Sequence, residues 1–194
     1  MTTRTGPSVN QGHSKQDYAT PREFLAAVEK RWGAMNFDLA ADRSNRVCEE
    51  YYGPGSALGE DSLAKSWEVL AGNLWLNPPF SDISPWAEKC SECVQRKGSL
   101  GTILLLVPAS IGSNWFAKYV HPYAYVYALQ GRLSFDGKAP YPKDCMLCVY
   151  ERVQTKLYGK VESFLEPGFT VWDWRHSEKP ETAQAAGASP AGRP

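Results

Sequence analysis

Apolar positions along this chain follow two periods in turn. After Thr20-Pro21, the residues Phe24, Leu25, Val28 and Trp32 recur at helical spacing, so a helix is predicted there, with Thr20 able to cap it and Pro21 suited to its first turn. Residues 36–40 predict a short strand that ends in Asp-Leu-Ala-Ala, and 53–59 a Gly-rich loop. A strand over 73–76 is followed by a helix over 85–97 with Trp86, Cys90 and Cys93/Val94 on one face. The run TILLLV, 102–107, is apolar without interruption, as a strand covered on both faces must be. A short helix around 114–120, a strand over 123–129, a turn at Gly131-Arg132 and a strand over 146–152 complete the series. Alternating elements of this kind predict an α/β fold built on an open, mostly parallel sheet. Ligands of such sheets lie outside the carboxyl ends of the strands, where the Asp38 and Asn77 segments fall.

The chain has 194 residues and 43% hydrophobic residues, enough for one domain with a substantial core. One domain is expected over 16–175, between polar, disordered tails at 1–15 and 176–194. The pattern assigns no role to 153–175. No apolar run approaches the ~20 residues that span a bilayer, and the first sixteen residues lack the apolar core of a signal peptide, so no membrane association and a cytoplasmic location are expected. Five cysteines read as reduced thiols. Cys90/Cys93 and Cys145/Cys148 have metal-like spacing, but the first pair lies in a helical pattern and the second in a strand, where an offset of three points to opposite faces. No metal site is expected. Lys+Arg and Asp+Glu are both 21. The tails carry Arg4, Lys15, Lys179 and Arg193 against Glu178 and Glu181, so the domain itself is slightly acidic. A nucleic-acid reading must bear that balance.

The most informative stretch is NLWLNPPF, 73–80. A strand that stops at Asn77-Pro78-Pro79-Phe80 gives a rigid rim, because consecutive prolines neither donate to a ladder nor relax. The Asn77 side-chain carbonyl and the Pro78 backbone carbonyl are two acceptors, suited to an amino group with two hydrogens. Phe80 can stack on the flat ring that bears it. Taken alone, the tetrapeptide serves equally well as a proline-stiffened loop with a surface Phe.

Six segments in order tip that balance. DYATPREFLAAVEKRWG, FDLAADRSNRVCEEYY, EDSLAKSW, NLWLNPPF, TILLLVPAS and GRLSFDGKAPYP resemble the successive motifs of the phage and prophage Dam-like DNA adenine-N6 methyltransferases. The resemblance runs from about residue 16 to 152. It implies a Rossmann-like methyltransferase domain with helices on both faces of the sheet, S-adenosylmethionine as cofactor and double-stranded DNA as partner, with no obligate protein partner. Under it, Asn77, Pro78, Pro79 and Phe80 are the catalytic rim. Thr20 and Pro21 touch the methionine part of the cofactor, Asp38 and Ala40 its amino-acid end, and Asp61 its adenosine part. Phe80 and Phe135 would hold a flipped base between them, with Arg132 and Lys143 contacting DNA. Each has a plainer alternative: Thr20-Pro21 a helix start, Asp38 a strand end, Asp61 a helix cap, Phe135 a core residue, Arg132 a solvated turn.

Two departures matter. FDLAAD lacks the glycines common in the first motif, and the distance from Asp38 to Asn77 is short for two full crossovers. The sheet is therefore expected to be trimmed between its first strand and the catalytic strand, with a loop in place of one unit. Two alternatives stay open: the same chemistry on another planar amine (a nucleotide, an RNA base or a protein glutamine), and a catalytically silent relative that binds DNA or a partner.

Overall fold

The computed structural model describes residues 19–96, 100–135, 137, 139–151, 156–157, 160–161 and 167–176. The expected tails, apart from His176, lie outside the described residues, as do Lys97 and Lys138. The elements are α1 (Arg22–Trp32), β1 (Met35–Asp38), β2 (Ala71–Leu76), α2 (Ser84–Gln95), β3 (Leu100–Pro108), β4 (Tyr125–Leu129), β5 (Cys145–Tyr150), β6 (Lys156–Leu157), β7 (Lys160–Val161) and β8 (Gly168–Trp172). Six strands form one sheet in the order β1-β2-β3-β5-β4-β8, and β6 pairs with β7 separately. β1, β2 and β3 are parallel, as are β4 and β8, while β5 runs against both its neighbours. The result is a mixed sheet, compatible with the α/β class, in which five of six strands point the same way.

Strand alternation fills two cores. From β3, Ile103, Leu105 and Val107 face Ala87, Cys90 and Val94 of α2. Leu104 and Leu106 belong to the opposite core, with Phe24 and Val28 of α1. The uninterrupted TILLLV run is thus used on both faces, and a helix covers each. Cys148 and Cys145 fall in opposite cores, as their offset of three requires. The short helix expected around 114–120 is a single π-helical turn over Phe116–Val120, closed by the His121 N–H to the Phe116 carbonyl at 2.9 Å.

Three features depart from or extend the pattern. First, Thr20 does not cap α1. Pro21 is the cap residue, and its carbonyl accepts from the Phe24 and Leu25 N–H groups, both at 3.0 Å. Second, no α-helix joins β1 to β2. One 3₁₀ turn, Ser62–Ala64, interrupts a loop that folds back along β1. The Asp38 N–H donates to the Glu50 carbonyl and the Tyr52 N–H to the Asp38 carbonyl, both at 2.9 Å. Third, β8 was not legible in the sequence. It lies along β4 and brings Trp172 and, just beyond it, Trp174 onto α1. The Phe24 ring lies 5.9 Å from Trp172 and 5.3 Å from Trp174. The Arg31 guanidinium sits 4.8 Å from the Tyr127 ring and 5.6 Å from Trp172, a cation held over aromatic faces. Among the described residues, no helix is long and apolar enough to cross a membrane.

Truncating such a ring leaves a cavity that its neighbours fill only in part. Trp172→Ala is therefore expected to lower stability by about 3–5 kcal/mol, read as a shift in the denaturant midpoint. A shift of a few tenths of a kcal/mol would show that β8 is not integral to the domain.

Candidate active site

β1 and β2 end side by side. Their register sets Asp38 opposite Trp75, and the Leu39 N–H continues the ladder to the Trp75 carbonyl at 2.8 Å. The residues just past both strands line one cavity of about 270 Å³, together with Thr20, Glu60, Ser62 and Trp86.

Asp38 is 2% exposed. Its Oδ1 accepts from the Ala40 N–H at 3.2 Å and its Oδ2 from the Val47 N–H at 3.1 Å. Burial pushes its pKa up to about 6, and the two N–H donors offset only part of that rise. A desolvated carboxylate facing a cavity is a receptor for a cation. The loop that carries it is tight. Gly53, on the cavity wall, has φ +138°, and a side chain there would run into the Ala41 carbonyl.

Asn77 begins the rim. Its Nδ2 donates to Thr20 Oγ1 at 3.1 Å. This is why the threonine hydroxyl is absent from the helix cap: it holds the amide instead. The bond fixes the amide plane, with the nitrogen towards Thr20. Pro78 is buried and Pro79 lines the cavity, so the backbone beyond Asn77 is held by packing as well as by its rings. Pro21 lies outside the lining and serves the helix start.

Phe80 points to the other side of the rim. Its ring lies 5.8 Å from Phe135 and 5.6 Å from Tyr141, and those two are 5.5 Å apart, all edge-to-face. A base between two rings needs roughly 7 Å, two contacts of ~3.5 Å, and parallel planes. The expected sandwich of Phe80 and Phe135 is not what the structure builds. Phe135 is buried and, with Tyr141, buttresses Phe80.

A second displacement concerns Asp61. Its side chain is exposed and caps the 3₁₀ turn through the Ala64 N–H at 3.3 Å, while its neighbours Glu60 and Ser62 line the cavity. The Ser62 hydroxyl is buried and has no hydrogen-bond partner among the described residues. Arg132 and Lys143 are exposed on the loop between β4 and β5, where Arg132 Nε lies 3.2 Å from Asp144 Oδ1. Glu60, Ser62, Trp86 and Tyr141 are among the cavity and rim residues that sequence reasoning did not select. Glu60 and Ser62 flank Asp61 in a motif already singled out, and Tyr141 lies in the APYP end of another.

The rim and cavity lie within the stretch that a family model matches. The description DNA N-6-adenine-methyltransferase (Dam) applies to residues 8–156. The chain belongs to the Dam family. A DNA N-6-adenine-methyltransferase of Escherichia phage T1 is 32% identical over 101 residues, 52% of this chain and 39% of that protein. The chain thus matches about two fifths of that relative's length. The Dam-matched residues contain every side chain of the cavity and rim, whereas β8, Trp174 and Arg175 lie beyond them.

Asp38 makes the stability of this Dam-family domain depend on pH. Its folded pKa of about 6 lies above the usual 3.8, so between those values the folded state holds a proton that the unfolded state has lost. Its contribution is most favourable below the unfolded value and declines as pH rises through about 6. Without ligand, Asp38→Asn should remove that part of the decline, measured as denaturant midpoints across about pH 4–8. Parallel profiles for the two proteins would place the carboxylate in water.

Proposed function

We propose that this Dam-family protein transfers a methyl group from S-adenosylmethionine to the exocyclic amino group of adenine in double-stranded DNA, in the cytoplasm of a bacterial host. One observation carries the reading: the amide of Asn77, held by Thr20 at the mouth of the Asn-Pro-Pro-Phe rim, shares a cavity with the desolvated carboxylate of Asp38. The strand order, with a parallel β1-β2-β3 half and one antiparallel strand, supports a trimmed Rossmann-like methyltransferase sheet. The phage origin of the T1 relative supports a phage or prophage setting.

The cavity fits the cofactor's chemistry. Its volume of about 270 Å³ falls just below the roughly 300–1,000 Å³ typical of small-molecule sites. Asp38 would take the ammonium of the methionine part, with the Ala40 backbone beside it and Thr20 at its edge. The unpaired hydroxyl of Ser62 and the carboxylate of Glu60 would take the polar groups of the adenosine part, a role Asp61 cannot share while it caps its turn. When bound, S-adenosylmethionine supplies a methyl group on a sulfonium whose departure leaves a neutral thioether.

The chain's own residues do the rest by positioning. Asn77 Oδ1 and the Pro78 carbonyl accept the two amino hydrogens and turn the nitrogen lone pair towards the methyl group. Neither is a strong base, and the proton lost from nitrogen leaves to solvent. Pro79 keeps the rim from relaxing, which is where the rate arises. A base within a duplex cannot reach this rim, so it is flipped out and stacks on Phe80, which Phe135 and Tyr141 hold in place. Arg132 and Lys143 meet the phosphates.

Labelled methyl transfer to adenine-unmethylated DNA, followed by nucleoside analysis, should yield N6-methyladenine. Cofactor binding without that product would favour another planar amine, consistent with the slightly acidic domain, and absence of cofactor binding would favour a silent relative. Asn77→Ala should leave the fold within about 0.5–1.5 kcal/mol of wild type and retain cofactor affinity, while transfer falls ~100-fold or more. Near-normal turnover would remove Asn77 from the site.

Binding to duplex DNA should weaken with salt along a shallow slope, since each phosphate contact contributes about −0.9 against log salt. Arg132→Ala and Lys143→Ala should each flatten it by roughly one unit. A slope that neither substitution alters would place the DNA elsewhere.

A further inference from the structure

Arg175 lies beyond the family-matched residues 8–156, yet it reaches back to the turn that opens the β4–β5 loop. After β8 the Trp172 carbonyl accepts from the Gln130 N–H at 3.0 Å. Arg175 Nη1 then donates to the Gln130 carbonyl at 3.2 Å, and Nη2 to the Arg132 carbonyl at 3.1 Å. The guanidinium lies 4.2 Å from the Trp174 ring centroid, and Trp174 is buried against Phe24. Gly131, between the two accepting carbonyls, has φ +80°, and a Cβ there would run into Arg175 Nη1. The left-handed backbone at Gly131 favours glycine, and a side chain there would also push the guanidinium off the turn.

The loop so fastened leads to the rim. The Tyr141 N–H closes it on the Leu133 carbonyl at 2.7 Å. Within it, Phe135 and Tyr141 bear on Phe80, and Arg132 stands exposed beside Asp144.

We propose that Arg175 is a positioning residue for the DNA substrate. By pinning both carbonyls of the 130–132 turn, it fixes the loop that buttresses Phe80 and presents Arg132. The proposal rests on the methyltransferase reading above. The guanidinium spans the two carbonyls with donors fixed on one plane, whereas a lysine ammonium would have to reach both from a single mobile nitrogen, so it restores the pair only in part.

The test compares the full chain with Arg175→Ala, Arg175→Lys and Gly131→Ala. Three quantities are read: KM for DNA, dissociation constant for S-adenosylmethionine, and amide hydrogen exchange. Arg175→Ala should raise the DNA KM roughly tenfold, leave cofactor affinity unchanged, and speed exchange over 130–135 but not over 38–41. Arg175→Lys should recover part of each change. Should Arg175→Ala fail to fold, Arg175→Lys should show a smaller rise in DNA KM, and Gly131→Ala, which both strains the turn and pushes the guanidinium aside, a rise at least as large. A wild-type DNA KM in both foldable variants overturns the proposal. So does an equal loss of cofactor affinity, which marks general loosening. If the wild-type protein methylates no DNA, the functional reading fails by itself. In that case exchange over 130–135 still decides whether Arg175 pins the loop: faster exchange in Arg175→Ala supports the pin, and unchanged exchange overturns it.

Discussion

Parallel pairing of β1 with β2 delivers a carboxylate and an amide to one rim, because both strands stop at the same edge with Asp38 opposite Trp75. Side chains beyond a strand end are no longer committed to either face of the sheet. The chain uses that freedom twice. Past β1 it turns sharply enough that the Asp38 carboxylate accepts two backbone N–H groups from its own loop. Past β2 it stiffens into two prolines. Loop and rim then share a cavity that neither strand could form alone.

The sequence was most legible where one requirement acted on each residue. The β3 run had to be apolar on both faces, and it read as a buried strand. The Asn-Pro-Pro-Phe segment had to leave the sheet, and it read as the stiff end of a strand. Legibility failed where one residue could satisfy either of two requirements. Thr20 stands where a cap belongs, but its hydroxyl gains more from holding a partly buried amide than from a solvated helix end, where Pro21 suffices. Asp61 is the better cap of its pair, which leaves Glu60 for the cavity. Phe135 is apolar enough for core and flat enough for a base, and packing decides for the core.

β8 was missed for a different reason. Phe169 and Val171 are exposed, and only Trp172 on the strand is buried. Exposure alternates along β8, but Gly168 and Thr170 take the inward positions beside Trp172, so no apolar-in, polar-out pattern marks the strand. Its value lies in the rings it brings to α1, and that depends on a sheet order that no local window contains. The aromatic cluster so formed couples distant parts of the domain. Phe24 of α1 packs on Trp75 of β2, at 6.4 Å between ring centroids, as well as on Trp172 and Trp174. The helix that presents Thr20 to Asn77 is thus seated between the site and the far edge of the sheet.

That seating has a consequence for biosynthesis. Among the described elements α1 leaves the ribosome first, and β8, with the tryptophans that cover α1, leaves last. Until then the apolar face of α1 has only part of its partner surface, and the sheet lacks its outer strand. Cooperative closure of this sheet therefore waits for β8 to emerge. Nascent chains stalled before β8 emerge with uncovered aromatic surface, the kind that chaperones bind.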